Sequence, residues 1–427
     1  LKGETMPKRS KLAPIVELIQ KALKVRHSDQ SARMFLRLHP ADRADVFELL
    51  EEDEQNQLLR QLDVPNIADL FDELEDHETV GPAESLTMER LADVLDEMDP
   101  DEAADLLGDI SPEKAERVLH QMDEPEDVLP LLSYPDDTAG GRMTTAFIGL
   151  QPSTSVENAI TYLRQVSIEN DVPYYLFVVD KDQKLNGVVG MRDLVTTEPD
   201  RPIGEIMDRD VIYIQATADQ EYAARMMTHY DLSALPVLDN RDRMLGVITH
   251  DDILDVIEDE TTEDIYRLSS LADTDLAPES AVGEQLKGRL PWLLLNTCTA
   301  LFASWVISNY GDLFVQVAVL AFFQSVVAGQ GGNAASQNVA MIVRALALEK
   351  IETKSVWSIL FHQMWIGFLQ GSIIGLIVGA GVGLWQNNPY LGVVLGLALI
   401  GNMLVASIVG TLAPLLLKFI GQDPALA

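Results

Sequence analysis

The chain has 427 residues, 67 of them acidic and 31 basic, for a formal net charge of −36. The imbalance is confined to residues 1–289, which carry 63 Asp and Glu against 27 Lys and Arg, whereas residues 290–427 carry four of each. So acidic a surface repels phosphate backbones and anionic lipid headgroups, which excludes nucleic acid as a partner and favours metal ions.

The single cysteine, Cys298, excludes an intrachain disulfide and suits a reducing cytoplasm. The N-terminal residues are polar and basic and show no apolar core of a signal peptide. Residues 11–133 read as short amphipathic helices, among them 41–50 and the units beginning at Asp99 and Ser111. Asp99 before Pro100 and Ser111 before Pro112 place an N-cap residue ahead of a proline in the first helical turn. Helices punctuated in this way predict a right-angled or superhelical stack.

One pattern occurs twice between residues 143 and 258. Tyr175-Leu176-Phe177-Val178-Val179-Asp180 leads through a polar turn to Gly187-Val188-Val189 and then Arg192-Asp193-Leu194. Ala234-Leu235-Pro236-Val237-Leu238-Asp239 leads likewise to Gly246-Val247-Ile248 and Asp251-Asp252-Ile253. A constant offset of 59 residues relates Gly187 to Gly246 and Asp193 to Asp252, the mark of a tandem repeat of alternating strands and helices. The spacing resembles the tandem CBS module. That resemblance implies an α/β pair that dimerises and often takes an adenosine nucleotide, such as ATP, with Thr249 and Asp252 in the binding positions. The first copy has Gly190 where the hydroxyl residue belongs. Asp180 to Lys184 is not a calcium loop, because Lys184 and Leu185 stand where an oxygen ligand and a glycine are needed.

Residues 251–264 hold eight acids and no base. Asp251, Asp255, Asp259 and Glu263 form a stripe at helical spacing where like charges repel. A solvated acidic face and a charge-loaded cation sensor are both consistent with it.

Four apolar stretches, 290–310, 313–346, 356–385 and 389–417, are long enough to span a bilayer. Arg344, Lys350 and Lys354 lie between the second and third, and Lys287 and Arg289 precede the first, so the acidic part is expected in the cytoplasm. All five tryptophans, Trp292, Trp305, Trp357, Trp365 and Trp385, fall in this region. Gly367, Gly371, Gly375, Gly379 and Gly383 recur every fourth residue, which predicts a smooth helix face for close packing, and Gly392 and Gly396 continue it in the fourth span. The segment 328–337 sets glycines and amides at membrane depth, where broken backbone and polar groups are tolerated only against protein or a water-filled path. A permeation pathway is the favoured reading, with a tightly packed helix contact as the alternative. The Lys that would make it a phosphate loop is missing.

The order of acidic helical domain, CBS pair, acidic helix and membrane spans resembles the MgtE family of magnesium channels. Asp136-Asp137-Thr138-Ala139-Gly140-Gly141-Arg142-Met143-Thr144, Gly331-Gly332-Asn333 with Gln337, and Gly421-Gln422-Asp423-Pro424-Ala425 add to the match. The implied fold class is a multidomain membrane protein with an all-α superhelical N-terminal domain, an α/β tandem CBS pair and an α-helical transmembrane bundle. The implied boundaries are 1–138, 139–203, 204–258, a connecting helix at 259–289, and 290–427 with four spans seen and a fifth, carrying a pore acid, expected beyond Ala427. The resemblance implies a homodimer in the lipid bilayer of the inner (plasma) membrane, multi-pass, with residues 1–289 cytoplasmic. Mg²⁺ is then both transported and regulatory. Implied metal ligands are Asp69, Asp101, Asp105, Glu221, Asp231, Asp252, Glu260, Glu263 and Asp264, joined by Asp255 of the acidic stripe. Gly329, Gly332 and Asn333 would line the pore. Closure by cytosolic Mg²⁺ is expected, with a CBS-regulated Mg²⁺ sensor or a transporter of Co²⁺, Ni²⁺ or Mn²⁺ as the alternatives. An enzyme is not expected: no His lies near a plausible nucleophile and no His-x-x-x-His occurs.

Overall fold

The computed structural model describes residues 9–24, 28–74, 76–166, 175–269, 282–311, 319–347 and 356–426. Lys350, Lys354, the start of the second expected span and residues 270–281 of the expected connecting helix lie outside them. The chain divides into two compact units, Leu1–Ile257 and Glu258–Ala427.

The first unit begins with helices α1 (Arg9–Lys24), α2 (Ser28–Phe35), α3 (Pro40–Glu48), α4 (Glu52–Leu59), α5 (Val64–Phe71), α6 (Asp76–Ser85), α7 (Met88–Leu95), α8 (Pro100–Asp109), α9 (Pro112–Leu119) and α10 (Pro125–Val128). After α1 and α2, which pack on each other, each packs mainly on the next but one, α3 on α5, α5 on α7 and α7 on α9, with α4 on α6 and α6 on α8. A two-row superhelical stack results, as the punctuated sequence predicts. Phe35, Phe47, Leu58, Ile67, Phe71, Leu91 and Leu95 fill its core at 1% exposure or less. Proline in the first turn starts α3, α8, α9 and α10, where its missing N–H costs no helical bond. Asp99 and Ser111 do occupy N-cap positions, yet neither side chain makes the capping hydrogen bond.

The CBS pair follows the 59-residue offset closely. Strand β1 (Gly149–Leu150) pairs parallel with β2 (Tyr175–Val179), which pairs antiparallel with β3 (Leu185–Gly190). Strands β4 (Ile214–Gln215), β5 (Ala234–Leu238) and β6 (Met244–Thr249) repeat that order and register. Helices α11 (Val156–Val166), α12 (Met191–Thr196), α13 (Ile203–Ile206) and α14 (Gln220–Tyr230) pack around the strands. Even the turns correspond. Asp180 and Asp239 each accept two backbone N–H groups from the residues two and four ahead, and Gln183 and Asp242 both have φ 62°. The segment entering each repeat pairs with the other repeat's glycine strand: Thr144 bridges Val247, and Asp208 bridges Val188. A Cβ at Gly246 would lie 2.5 Å from the Thr144 carbonyl oxygen and one at Gly187 2.6 Å from that of Asp208, so the crossing admits only glycine.

Strand β6 runs straight into α15 (His250–Leu268), so the acidic helix begins at His250 rather than at residue 259. The boundary between the two units falls inside this helix.

The second unit contains α16 (Val282–Ser308), α17 (Val319–Ala347), α18 (Val356–Trp385) and α19 (Pro389–Phe419). Among the described residues three helices are long and apolar enough to cross a membrane, Gln285–Ser308, Val356–Trp385 and Pro389–Phe419. Helix α17 has the length, but its central amides dilute its hydropathy. It is also unbroken through 328–337: the glycines leave a regular i→i−4 ladder intact. The glycine stripe of α18 is a helix contact, as its spacing predicts. A Cβ on Gly375 would lie 2.7 Å from the Gly396 carbonyl oxygen, and one on Gly379 2.5 Å from that of Gly392. Gly379→Leu should therefore destabilise the solubilised chain by about 1–3 kcal/mol, as overpacking does elsewhere. Gly381→Leu, at a position with nothing within 4 Å, should leave the melting temperature unchanged in the same detergent.

Candidate divalent-cation site

Helix α8 carries Asp101 and Asp105 one turn apart, hence on one face. Asp101 is 8% exposed and its Oδ1 has no hydrogen-bond partner. Its carboxyl is raised well above the usual range, first by burial and then by the negative charges of Asp252 and Asp99, against a hydrogen bond from the Thr144 side chain. Across from it, Asp252 sits in the first turn of α15. Both the backbone N–H of Thr249, at 3.1 Å, and the Thr249 hydroxyl donate to Asp252 Oδ2. This is the backward half of a capping box, with the third helical residue reaching the N-cap amide. Burial nonetheless raises Asp252, those bonds working against it, with Asp251 adding repulsion and Arg142 offsetting part of it. Arg142 Nη1 lies 3.7 Å from Asp105 Oδ2, and Nε donates to Gln220 Oε1 at 3.0 Å.

Asp101, Asp105 and Asp252 are thus brought together, by α8, the segment 139–144 and the start of α15. Gln220, which the sequence did not single out, joins them through Arg142, and a second unforeseen acid, Asp72, faces Asp99 in the turn before α8. Asp72 closes α5, where a carboxylate opposes the helix dipole. Burial and then the charge of Asp99 raise it to about 8. Its Oδ1 is buried without a partner. Only tertiary structure reveals this, because Asp99 arrives from the turn before α8.

The other expected ligands are placed differently. Asp69 is 3.9 Å from the Arg43 guanidinium with its side chain 60% exposed. Glu221 pairs with Arg225 at 2.9 Å. Asp231 caps the far end of the same helix in a left-handed conformation, φ 51°. Ten residues of helix separate those two carboxylates by about 15 Å, so one ion cannot bridge them within a chain. In the second unit Glu263 pairs with Arg267, which also pairs with Asp423. Asp264 is raised, by burial first and then by Glu260. Asp255 is exposed on α15.

Among the described residues no three His, Cys, Asp or Glu side chains converge into a metal cage. A pair of carboxylates with one orphaned oxygen instead suits a hard cation that keeps several of its waters, which describes Mg²⁺ better than Ca²⁺ or Zn²⁺.

In the membrane helices, Gly329 and Gly332 have open space around them and Asn333 is exposed. Gly331 instead packs on Asn402 of α19, whose Nδ2 donates to the Val327 carbonyl at 2.6 Å. A cleft of about 340 Å³ is lined by Gln330, Asn333 and Gln337 of α17 and Gln370 of α18, with Met403 behind them. Asn333 therefore borders the cleft, whereas Gly329 and Gly332 are not among its lining residues.

Three family models match the chain: a divalent cation transporter over residues 324–427, an MgtE intracellular N domain over 38–137, and a CBS domain over 139–199 and again over 203–259. The magnesium transporter MgtE of Thermus thermophilus is 34% identical over 301 residues, 70% of this chain and 67% of that protein. Its counterpart in Enterococcus faecalis is 35% identical over 304 residues, 71% of this chain and 67% of that one. The crystal structure of the soluble part of a magnesium transporter superposes with a TM-score of 0.53 at 32% identity, covering 59% of this chain and 99% of its own. That of the cytosolic domain of the Mg²⁺ channel MgtE in complex with ATP gives 0.53 at 30% identity, covering 56% and 99%. The chain belongs to the MgtE family of magnesium transporters, integral membrane proteins with a cytosolic N-terminal part.

Proposed function

We propose that this chain forms a homodimeric, bilayer-embedded Mg²⁺ channel that admits Mg²⁺ to the cytoplasm and is closed by cytosolic Mg²⁺ bound in its acidic part. The opposition of Asp101 and Asp252 carries the reading. Asp101 is buried and Asp252 half-buried, both are raised, and Asp101 Oδ1 lacks a partner. Such an arrangement is relieved by a bound proton or a cation near the carboxylates. Mg²⁺ there would fasten the helical stack to the CBS pair.

One pair is not enough to drive a gate. Two like charges about 8 Å apart repel by roughly 2 kcal/mol at an effective dielectric near 20. Moving a gate from 1:99 to 99:1 takes about 5.5 kcal/mol. The α15 acids Asp255, Glu260, Glu263 and Asp264 are therefore assigned the remainder, each ion neutralising repulsion that the metal-free protein must bear. In the membrane, the Gln330, Asn333, Gln337 and Gln370 amides offer uncharged oxygens that can accept hydrogen bonds from the waters of a hydrated cation. An adenosine nucleotide at Thr249 and Asp252 is a second reading, favoured by the ATP complex of the related cytosolic domain.

Mg²⁺ flux into liposomes, with Co²⁺, Ni²⁺ and Mn²⁺ as competitors, separates a channel from a sensor that moves no ion. For the regulatory site, chymotrypsin cleavage of the solubilised full chain should slow on adding Mg²⁺. Asp101→Asn combined with Asp252→Asn should shrink the ratio of rates without and with Mg²⁺ about tenfold; an undiminished ratio refutes the site.

A pH dependence follows from the raised carboxyls. A group whose folded pKa exceeds its unfolded value contributes stability that is present below the unfolded pKa and lost as pH rises through the folded one. For Asp72 that loss extends to about pH 8. In EDTA the melting temperature of the cytosolic part should fall between about pH 6 and about pH 9. Asp72→Asn should flatten the upper portion of that fall, and a variant with the wild-type slope would show that Asp72 is not the group responsible.

A further inference from the structure

One guanidinium is built in among the site's carboxylates. Arg142 has a side chain only 22% exposed, faces Asp105 at 3.7 Å, donates to Gln220 at 3.0 Å and acts on the charge of Asp252. The backbone beneath it is pinned. Ala139 and Gly140 donate to the Ala218 and Ala216 carbonyls at 2.7 and 2.8 Å. A Cβ on Gly140 would run into the Tyr134 ring, and one on Gly141 into the Pro135 backbone. The segment therefore delivers Arg142 on one side of Met143 and Thr144 on the other to the same carboxylate cluster.

We propose that Arg142 is a tethered counter-cation that stands in for Mg²⁺ at Asp105 and Asp252, holding the helical stack against the CBS pair when Mg²⁺ is scarce and so limiting how far Mg²⁺ can shift that contact. This rests on the Mg²⁺ site proposed above. A guanidinium keeps its proton in a protein, and its local concentration is fixed by the chain, so it remains beside these acids when metal is absent. Mg²⁺ and Arg142 carry like charge and serve the same acids, so each weakens the contribution of the other.

A thermodynamic cycle tests this on the solubilised full chain, with chymotrypsin cleavage reporting the population of the open form. Arg142→Gln should speed cleavage about tenfold in EDTA and less than about twofold at saturating Mg²⁺. Arg142→Met, which keeps the aliphatic stem, should do the same, and Arg142→Lys should restore slow cleavage in EDTA. An equal factor in both conditions, in either neutral variant, means that Arg142 is only a packing residue and overturns the proposal. A larger factor in Mg²⁺ overturns it as well. If the wild-type chain gains no protection from Mg²⁺, the Mg²⁺ site itself falls and takes this inference with it. A wild type that responds, with variants that do not differ between the two conditions, removes the Arg142 proposal alone.

Discussion

Everything in the cytosolic part turns on one electrostatic conflict, the confrontation of Asp101 and Asp252 in a region already carrying a large excess of acid. Both residues have local reasons to be where they are. Asp101 lies in the first turn of α8, where a helix dipole favours negative charge, and Asp252 closes a capping box with Thr249. What is unfavourable is their meeting, because burial removes the water that would screen them. A fold that brings two helix N-termini together, each bearing an acid, concentrates positive dipole and negative side chain in the same place. The dipoles lower the cost of the carboxylates without cancelling it, and the residue is what a mobile cation can act on.

The CBS pair supplies the rigid frame for this conflict, and it does so from a duplicated plan used unequally. The two repeats share strand register, Asx turns and crossing glycines. At the end of the glycine strand they part. Gly190 offers Asp193 no hydroxyl, and a Cβ there would sit 3.4 Å from Asp193 Oδ2, whereas Thr249 holds Asp252 by two hydrogen bonds. The first copy is followed by the short helix α12 and the second by the long acidic α15. Duplication made the frame, and one end of one copy acquired the charge.

Much of this was legible in the sequence because it is periodic. An offset of 59 residues, a glycine every fourth position and prolines behind N-cap residues each translate directly into geometry. The resemblance named Asp101, Asp105 and Asp252, which the fold brings near one another, and the sequence was illegible where an acid's fate depends on a distant partner. Asp69 and Glu221 each have an arginine within reach, Arg43 and Arg225, and the sequence does not rank that pairing against a metal. Asp72 was not singled out at all, because its raised carboxyl arises from burial and then from the approach of Asp99 across the stack. The glycines at 329, 331 and 332 left a water-filled path and a close helix contact both open. Helical periodicity turns Gly331 toward Asn402 and leaves the other two on the open face, so their smallness serves packing on one side and space on the other.

The same smallness bears on how the membrane unit can move. Helices α18 and α19 approach through backbone against backbone along the Gly375, Gly379, Gly392 and Gly396 face, with no side chains to repack. A contact of that kind favours movement of the two helices as one body, since sliding would drive each Cα into the opposing carbonyl. That body ends in the turn carrying Asp423, whose carboxylate pairs with Arg267 at the end of α15, while Arg267 also holds Glu263. Glu263 belongs to the acidic stripe, so neutralising the stripe alters the grip of the arginine that clasps the α19 terminus. The end of α15 and the end of α19 are in this way joined by a direct ionic contact inside one compact unit.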